Sequence, residues 1–193
     1  MAHDNSLLTD KELIEVNKNF KMITPFIDHQ VRSVGDKRVI SYGLSSSGYD
    51  VRLGTNFAFF NQQGHNVVDP KNFEKDRVLH WVRETDQIIM PPHSYLLAET
   101  MEAFKIPDFI TGVCVGKSTY ARCGVIVNVT PLEPGWQGIL TLEIANVLPN
   151  PVILYPTEGI CQIQFQRHGS VGTSYNTRQG KYQDQTGLTP ART

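Results

Sequence analysis

Ile139-Leu140-Thr141-Leu142-Glu143-Ile144-Ala145 alternates residue by residue, with apolar Leu140, Leu142 and Ile144 separated by Thr141 and Glu143. Successive side chains of a strand point to opposite faces. The run therefore reads as a β-strand with one apolar face and a carboxylate on the other. Cys161-Gln162-Ile163-Gln164-Phe165 repeats the pattern. Two strands thus offer polar groups on one face, which is either wet surface or the lining of a shared cavity.

Further short β-rich runs lie at 57–60, 87–90, 95–99, 112–115, 125–129 and 152–155. Strong turn signals separate several of them: Pro91-Pro92, Glu133-Pro134-Gly135 and Leu148-Pro149-Asn150-Pro151. Many short strands with such punctuation indicate an all-β sandwich or barrel. No strand–helix–strand alternation suggests a parallel nucleotide-binding sheet. One helix is expected near the start, where Thr9-Asp10-Lys11-Glu12 forms a capping-box pattern ahead of Leu13, Ile14 and Val16. The stretch 41–54 reads as loop at its beginning and enters a strand over 49–53.

The 193 residues, 40% hydrophobic and 19% charged, suit one globular domain with its own core. A formal net charge of −1 supplies no basic field for nucleic acid. No window approaches the roughly 20 apolar residues of a membrane span. Residues 1–10 lack the basic and apolar regions of a signal peptide. A cytoplasmic location is expected, with neither nucleic acid nor membrane as partner.

Cys114, Cys123 and Cys161 form no C-x-x-C pair, and Cys114 and Cys161 sit in apolar patterns as small hydrophobes. The six histidines (His3, His29, His65, His80, His93 and His168) show neither H-x-E nor H-x-x-x-H. A zinc deaminase needs H-x-E together with P-C-x-x-C, so no zinc is expected. If this chain moves water onto a heterocycle, protein side chains must do it.

The densest polar cluster is Gly116-Lys117-Ser118-Thr119-Tyr120-Ala121-Arg122-Cys123-Gly124. On one helical turn Ser118 and Arg122, four apart, face the same way. Hydroxyls, backbone amides and a guanidinium in one bend suit phosphate and amide recognition. Ser118 has no His or Asp partner nearby in sequence, which argues against a serine-hydrolase triad. The last segment, 168–193, lacks alternation and is rich in Gly, Gln, Ser and Thr. It is either a frayed tail or a lid that orders over an anionic ligand. Tyr175, Lys181, Tyr182 and Gln185 favour the lid.

Taken in order with Tyr49-Asp-Val-Arg-Leu-Gly54, Val129-Thr-Pro-Leu-Glu-Pro-Gly-Trp136, Thr141-Leu-Glu143 and Gly180-Lys-Tyr-Gln-Asp-Gln-Thr-Gly187, that cluster resembles the dCTP deaminase family. The resemblance runs from about residue 20 to the end. It implies the trimeric dUTPase superfamily: a mainly β, distorted β-barrel or jelly-roll-like dUTPase-type fold. The catalytic domain with its N-terminal helix would span 1–167, and 168–193 would be a flexible C-terminal lid. The implied assembly is a homotrimer with active sites between subunits. The implied reaction turns dCTP into dUTP and ammonia, supplying dUTP for thymidylate synthesis, with Mg²⁺ on the triphosphate and dTTP as an inhibitor.

Carried over by position, the resemblance makes Glu143 the general acid/base, with Ser118 holding the water or the 4-amino group. Arg122 would stabilise charge beside them. Lys117, Thr119 and Gln162 would contact the triphosphate or sugar, with Tyr120 and Ala121 in the same element. Thr141 and Leu142 would read the base through backbone groups, and Tyr175, Lys181 and Gln185 would close over the phosphates. Trp136, Ile126 and Val129 are candidates for a wall excluding the 2′-hydroxyl, and Trp136 fits a structural turn.

The chain departs from the family pattern at Lys117, where many relatives have Arg, at Thr119 in place of Ser, and at Glu133 in a shortened segment. In dUTPases an Asp activates water near that last position. A longer carboxylate in a shorter loop displaces such a water by roughly 1 Å, which can cost about 100-fold. Deamination without efficient dUTP cleavage is therefore expected. The rivals are a bifunctional deaminase–diphosphatase making dUMP and a non-catalytic nucleotide sensor of the same fold. The presence of Glu143, Ser118 and Arg122 argues against the sensor.

Overall fold

The alternating runs do become strands. In this computed structural model, which describes residues 6–61, 67–83 and 85–192, the chain is mainly β. His3 and His65, named above, lie outside the described residues.

Helix α1 spans Asp10–Phe20 and starts as its capping box requires. The Thr9 hydroxyl accepts from the Glu12 amide at 3.5 Å, and Glu12 accepts from the Thr9 amide at 2.9 Å. Such a cap is worth about 1 kcal/mol. Leu13 and Val16 are buried, whereas Ile14 faces outward.

The strands are β1 (Ile23–Thr24), β2 (Gln30–Val34), β3 (Lys37–Ser45), β4 (Gly48–Phe60), β5 (Leu79–Val82), β6 (Ile88–Met90), β7 (Tyr95–Lys105), β8 (Ile110–Gly116), β9 (Val125–Asn128), β10 (Gln137–Asn146), β11 (Val152–Leu154) and β12 (Gly159–Arg167). Two one-turn helices interrupt them, α2 (Lys75–Val78) and α3 (Ser118–Ala121). One large antiparallel sheet runs β2-β3-β4-β7-β10-β9. Strand β12 pairs with both β4 and β8, and β11 pairs with β6 apart from the main sheet.

Strand β4 belongs to both halves of the sheet. Its first residues pair with β3 and β12, while its later ones pair with β5 and β7 across a register shift between Leu53 and Phe57. Such an irregularity bends a strand and increases its twist. The sheet curls into a half-barrel around Tyr49, Val51, Leu53, Phe57, Leu142, Ile144, Ile163 and Phe165, all with no solvent exposure. Burying each large side chain contributes about 1.5–3 kcal/mol.

The segment 41–54 corrects the loop reading. Ser41 to Ser45 are the end of β3, with Tyr42 and Leu44 buried. Gly and Ser content argued for a loop, but pairing with β2 and β4 overrides local propensity. The start of β12 presses close to the backbone of Ser41, so position 159 has room only for glycine. A Cβ on Gly159 would sit 2.0 Å from the Ser41 carbonyl oxygen.

Candidate active site

Strand β10 delivers the alternation its sequence promised. Leu140, Leu142 and Ile144 are buried, and Thr141 and Glu143 face the other way, into a cavity of about 320 Å³. That volume is at the small end of ligand pockets, roughly 300–1,000 Å³. Apolar Phe60, Leu97, Val129, Trp136 and Leu140 form walls, and Tyr95, Tyr175 and Tyr182 add aromatic faces with polar tips. Glu133, Thr141, Glu143 and Gln185 supply further polar groups.

Cross-strand register sets Glu143 opposite Leu97 of β7 and Asn128 of β9. The Asn128 side-chain amide donates to Glu143 Oε2 at 3.2 Å. Burial pushes the Glu143 carboxyl up from its ordinary range, and the Asn128 hydrogen bond partly opposes this. Tyr95 also lies above its usual value, through burial first and the nearby Glu143 second. A partly desolvated carboxylate in an apolar cavity is a common arrangement for proton transfer.

The terminal segment covers this cavity. Trp136 Nε1 donates to the Tyr182 carbonyl at 2.8 Å, and the Ile139 amide donates to the Gln185 carbonyl at 2.8 Å. Gly138 permits that approach, since a Cβ there would meet the Gln185 amide nitrogen at 2.7 Å. The Thr141 hydroxyl donates to Gln185 Oε1 at 3.2 Å and accepts from the Thr189 amide at 3.1 Å. Glu133 is paired with Arg178, whose guanidinium also lies over the Tyr175 ring. Backbone and side-chain hydrogen bonds thus seat a segment that has little apolar surface of its own.

Thr141, Glu143, Tyr175 and Gln185 therefore meet around one cavity, as do Trp136 and Val129 of the proposed wall. Ile126 does not join them and is 54% exposed. Leu142 points into the core, so only its backbone is available. Lys181 donates to the Arg192 carbonyl at 2.7 Å and is not among the cavity's lining residues.

The second cluster lies elsewhere. Helix α3 forms the expected single turn, and Arg122 donates from Nη1 to the Ser118 carbonyl at 3.1 Å. Ser118, Thr119, Ala121 and Arg122 are exposed, whereas the Tyr120 side chain is buried and accepts from the Tyr155 amide at 3.0 Å. Lys117 donates to Asp50 Oδ2 at 2.7 Å, and Gln162 donates to Asp50 Oδ1 at 3.2 Å and to Ser45 Oγ at 3.1 Å. The polar faces of β10 and β12 consequently do not line one cavity. They belong to different parts of the curl, because β12 pairs with β4 and β8 while β10 pairs with β7 and β9.

Separation along β9 explains the gap. Helix α3 precedes Val125, which pairs with Asn146, whereas Glu143 pairs with Asn128 at the other end of the strand. Three residues of strand span roughly 10 Å. Among the described residues, none of 117–122 lines the Glu143 cavity. Asn128, Tyr95 and Phe60 are lining or contacting groups that sequence reasoning did not assign, whereas Tyr182 lines the cavity as the lid reading required. Asn128 closes an apolar run, and only its register against Glu143 reveals its position.

The sequence matches the family model described as dCTP deaminase-like over residues 7–168. A dCTP deaminase from Rickettsia bellii (strain OSU 85-389) is 49% identical over 185 residues, covering 95% of this chain and 97% of that protein. One from Rickettsia typhi is 48% identical over the same shares. The crystal structure of a 2′-deoxycytidine 5′-triphosphate deaminase from Agrobacterium tumefaciens superposes with a TM-score of 0.59 at 18% identity. It covers 88% of this chain, and this chain spans 50% of that one.

Proposed function

This chain belongs to the dCTP deaminase-like family, and on that footing we propose that it hydrolyses dCTP to dUTP and ammonia. The observation that carries the chemistry is Glu143, a half-buried carboxylate facing an apolar cavity that the terminal segment closes. Water adds to C4 of the cytosine ring as Glu143 takes one of its protons. That proton goes to ring nitrogen N3, and the second proton of the water follows to the amine. The C4–N bond then breaks, ammonia leaves and C4 becomes a carbonyl. Burial makes Glu143 hold a proton more tightly than an exposed carboxylate, which suits a group that accepts one and returns it. General acid–base transfer supplies about 10²–10⁴-fold. Positioning and fixed donors must supply the remainder.

Those donors come from a second copy of the chain. Ser118 holds the water or the 4-amino group, and Arg122 stabilises charge as C4 becomes tetrahedral. Supporting this, the Glu143 cavity lacks both residues within one chain. Exposed apolar Val113, Val115 and Ile126 on the strands flanking α3 are surface that a second subunit would cover. A homotrimer with three sites between subunits satisfies both observations. Lys117, Thr119 and Gln162 contact the triphosphate or sugar. Lys117 does so with its charge shared by Asp50, and so contributes less than a free cation. Thr141 and Leu142 read the base edge, and Tyr175, Lys181 and Gln185 close over the nucleotide.

Magnesium arrives on the triphosphate as part of the substrate. There it would be held by phosphate oxygens and water. The deamination step itself is assigned to side chains, without zinc. dTTP is expected to compete for the same cavity. No helix among the described residues is long and apolar enough to cross a membrane, and the cytoplasm is the proposed location, where the dUTP formed would feed thymidylate synthesis. The ion pair of Glu133 with Arg178 supports deamination over diphosphate cleavage, since Arg178 already occupies an oxygen of the carboxylate that would have to hold a second water.

A product assay tests the proposal, using dCTP and Mg²⁺ with ammonia, dUTP, dUMP and pyrophosphate followed separately beside Glu143→Gln. Ammonia and dUTP in equal amounts, absent in the variant, are expected. Formation of dUMP and pyrophosphate would make the chain bifunctional, and nucleotide binding without turnover would make it a sensor.

A further inference from the structure

We infer that Asn128 is a positioning residue for the deamination, pinning one oxygen of Glu143 so that the other faces the attacking water; this rests on the reading of Glu143 as the general base. The two residues are directly opposed in the β9–β10 ladder, and the Asn128 amide donates to Glu143 Oε2 at 3.2 Å. Among the described residues this is the one side chain in hydrogen-bond contact with that carboxylate. Oε1 has no such partner and is left for the cavity.

Two effects follow from the same bond. A donor on the ionised oxygen favours the charged form and limits how far burial raises its proton affinity. It also removes rotation about the last side-chain bond, so the free oxygen is presented in one direction. The position suits the task, because Asn128 is exposed at the end of a short strand and contributes no apolar packing to the core.

Other groups around Glu143 do not duplicate the contact. Strand β7 contributes Tyr95 and Glu99 on the same face, and Glu99 is already occupied by Asn56 and the Leu188 amide. The loop after β9 contributes Glu133, ion-paired with Arg178, and the terminal segment contributes Tyr175 and Tyr182. In the proposed trimer Arg122 of a second copy also approaches.

The test is the pH dependence of kcat and KM for dCTP with the full-length protein, comparing wild type with Asn128→Leu, Asn128→Asp, Asn128→Gln and Glu143→Gln. Loss of the donor in Asn128→Leu should lower kcat about tenfold or more with KM within about twofold. The acid limb of the profile should move to higher pH. Asn128→Asp should move it further, since two facing carboxylates resist joint ionisation. Asn128→Gln, which keeps an amide donor, should recover most of kcat. An unshifted limb in Asn128→Leu and Asn128→Asp, or a Gln variant no better than Leu, overturns the positioning role. That failure is distinct from failure of the base assignment, which would show as turnover by Glu143→Gln.

Discussion

Mixing two inactive variants should restore activity if Ser118 and Glu143 of one site come from different chains. Ser118→Ala and Glu143→Gln each leave every site of their own trimer with one lesion. When the two are unfolded and refolded together in equal amounts, subunits assort at random. A site needs an intact Glu143, carried by half the chains, and an intact Ser118 from its neighbour, carried by the other half. About a quarter of the sites are then whole, and the mixture should recover about a quarter of wild-type turnover. The structural basis is the roughly 10 Å of β9 between α3 and Glu143, which keeps the two groups of one chain apart. Ammonia release from dCTP is the assay, with unmixed variants refolded in parallel as baselines. If both groups served one site within a chain, no mixed trimer would contain a complete site. Recovery indistinguishable from the baselines would refute the two-subunit site, provided that differently tagged chains co-purify and so prove exchange.

Replacing Arg52 by Met should destabilise the fold by about 3–5 kcal/mol, because it strands the fully buried Glu102, which now accepts from Arg52 at 2.8 Å. For a chain of this length that is roughly a 6–20 °C fall in Tm. Burial already raises the Glu102 pKa and Arg52 opposes the rise, so the variant's folded state should hold a proton that its unfolded state releases. The deficit should therefore grow as pH rises above the ordinary Glu range and shrink below it, which thermal melts across pH will show. Glu143→Gln should raise Tm at neutral pH, since folding raises that carboxyl too and penalises its charge. The gain should vanish once pH falls below the ordinary Glu value, where wild-type Glu143 is protonated folded or unfolded. Trp136→Phe removes the bond to the Tyr182 carbonyl. It should loosen closure by about 1 kcal/mol, seen as a roughly fivefold rise in KM.

Local pattern made much of this fold legible. The period-two alternation of 139–145 and 161–165 placed two strands and their buried faces correctly, because which side a residue faces depends only on strand periodicity. The capping box of α1 was readable for a similar reason, since its bonds close within four residues. The hairpin of β2 and β3 was missed, and Ser41 to Ser45 looked like loop. Their strand character comes from pairing with β2 and β4, which overrides the local turn chemistry of Gly and Ser.

The site divided along the same line. Residue chemistry and motif order pointed to Glu143, Ser118, Arg122 and the tyrosines of the terminal segment. Position in space was another matter. Asn128 meets Glu143 only through the β9–β10 register, and Gln162 leaves that face only because β12 joins β4 and β8. The sequence alone determined that this chain is mainly β and carries the side chains of the proposed chemistry, because alternation and residue type are local properties. Tertiary structure alone decided that Glu143 shares a cavity with Tyr175 and Gln185 and not with Ser118 of its own chain. The curl of one sheet and the register of its ladders set those distances, and both are sums over long-range pairings.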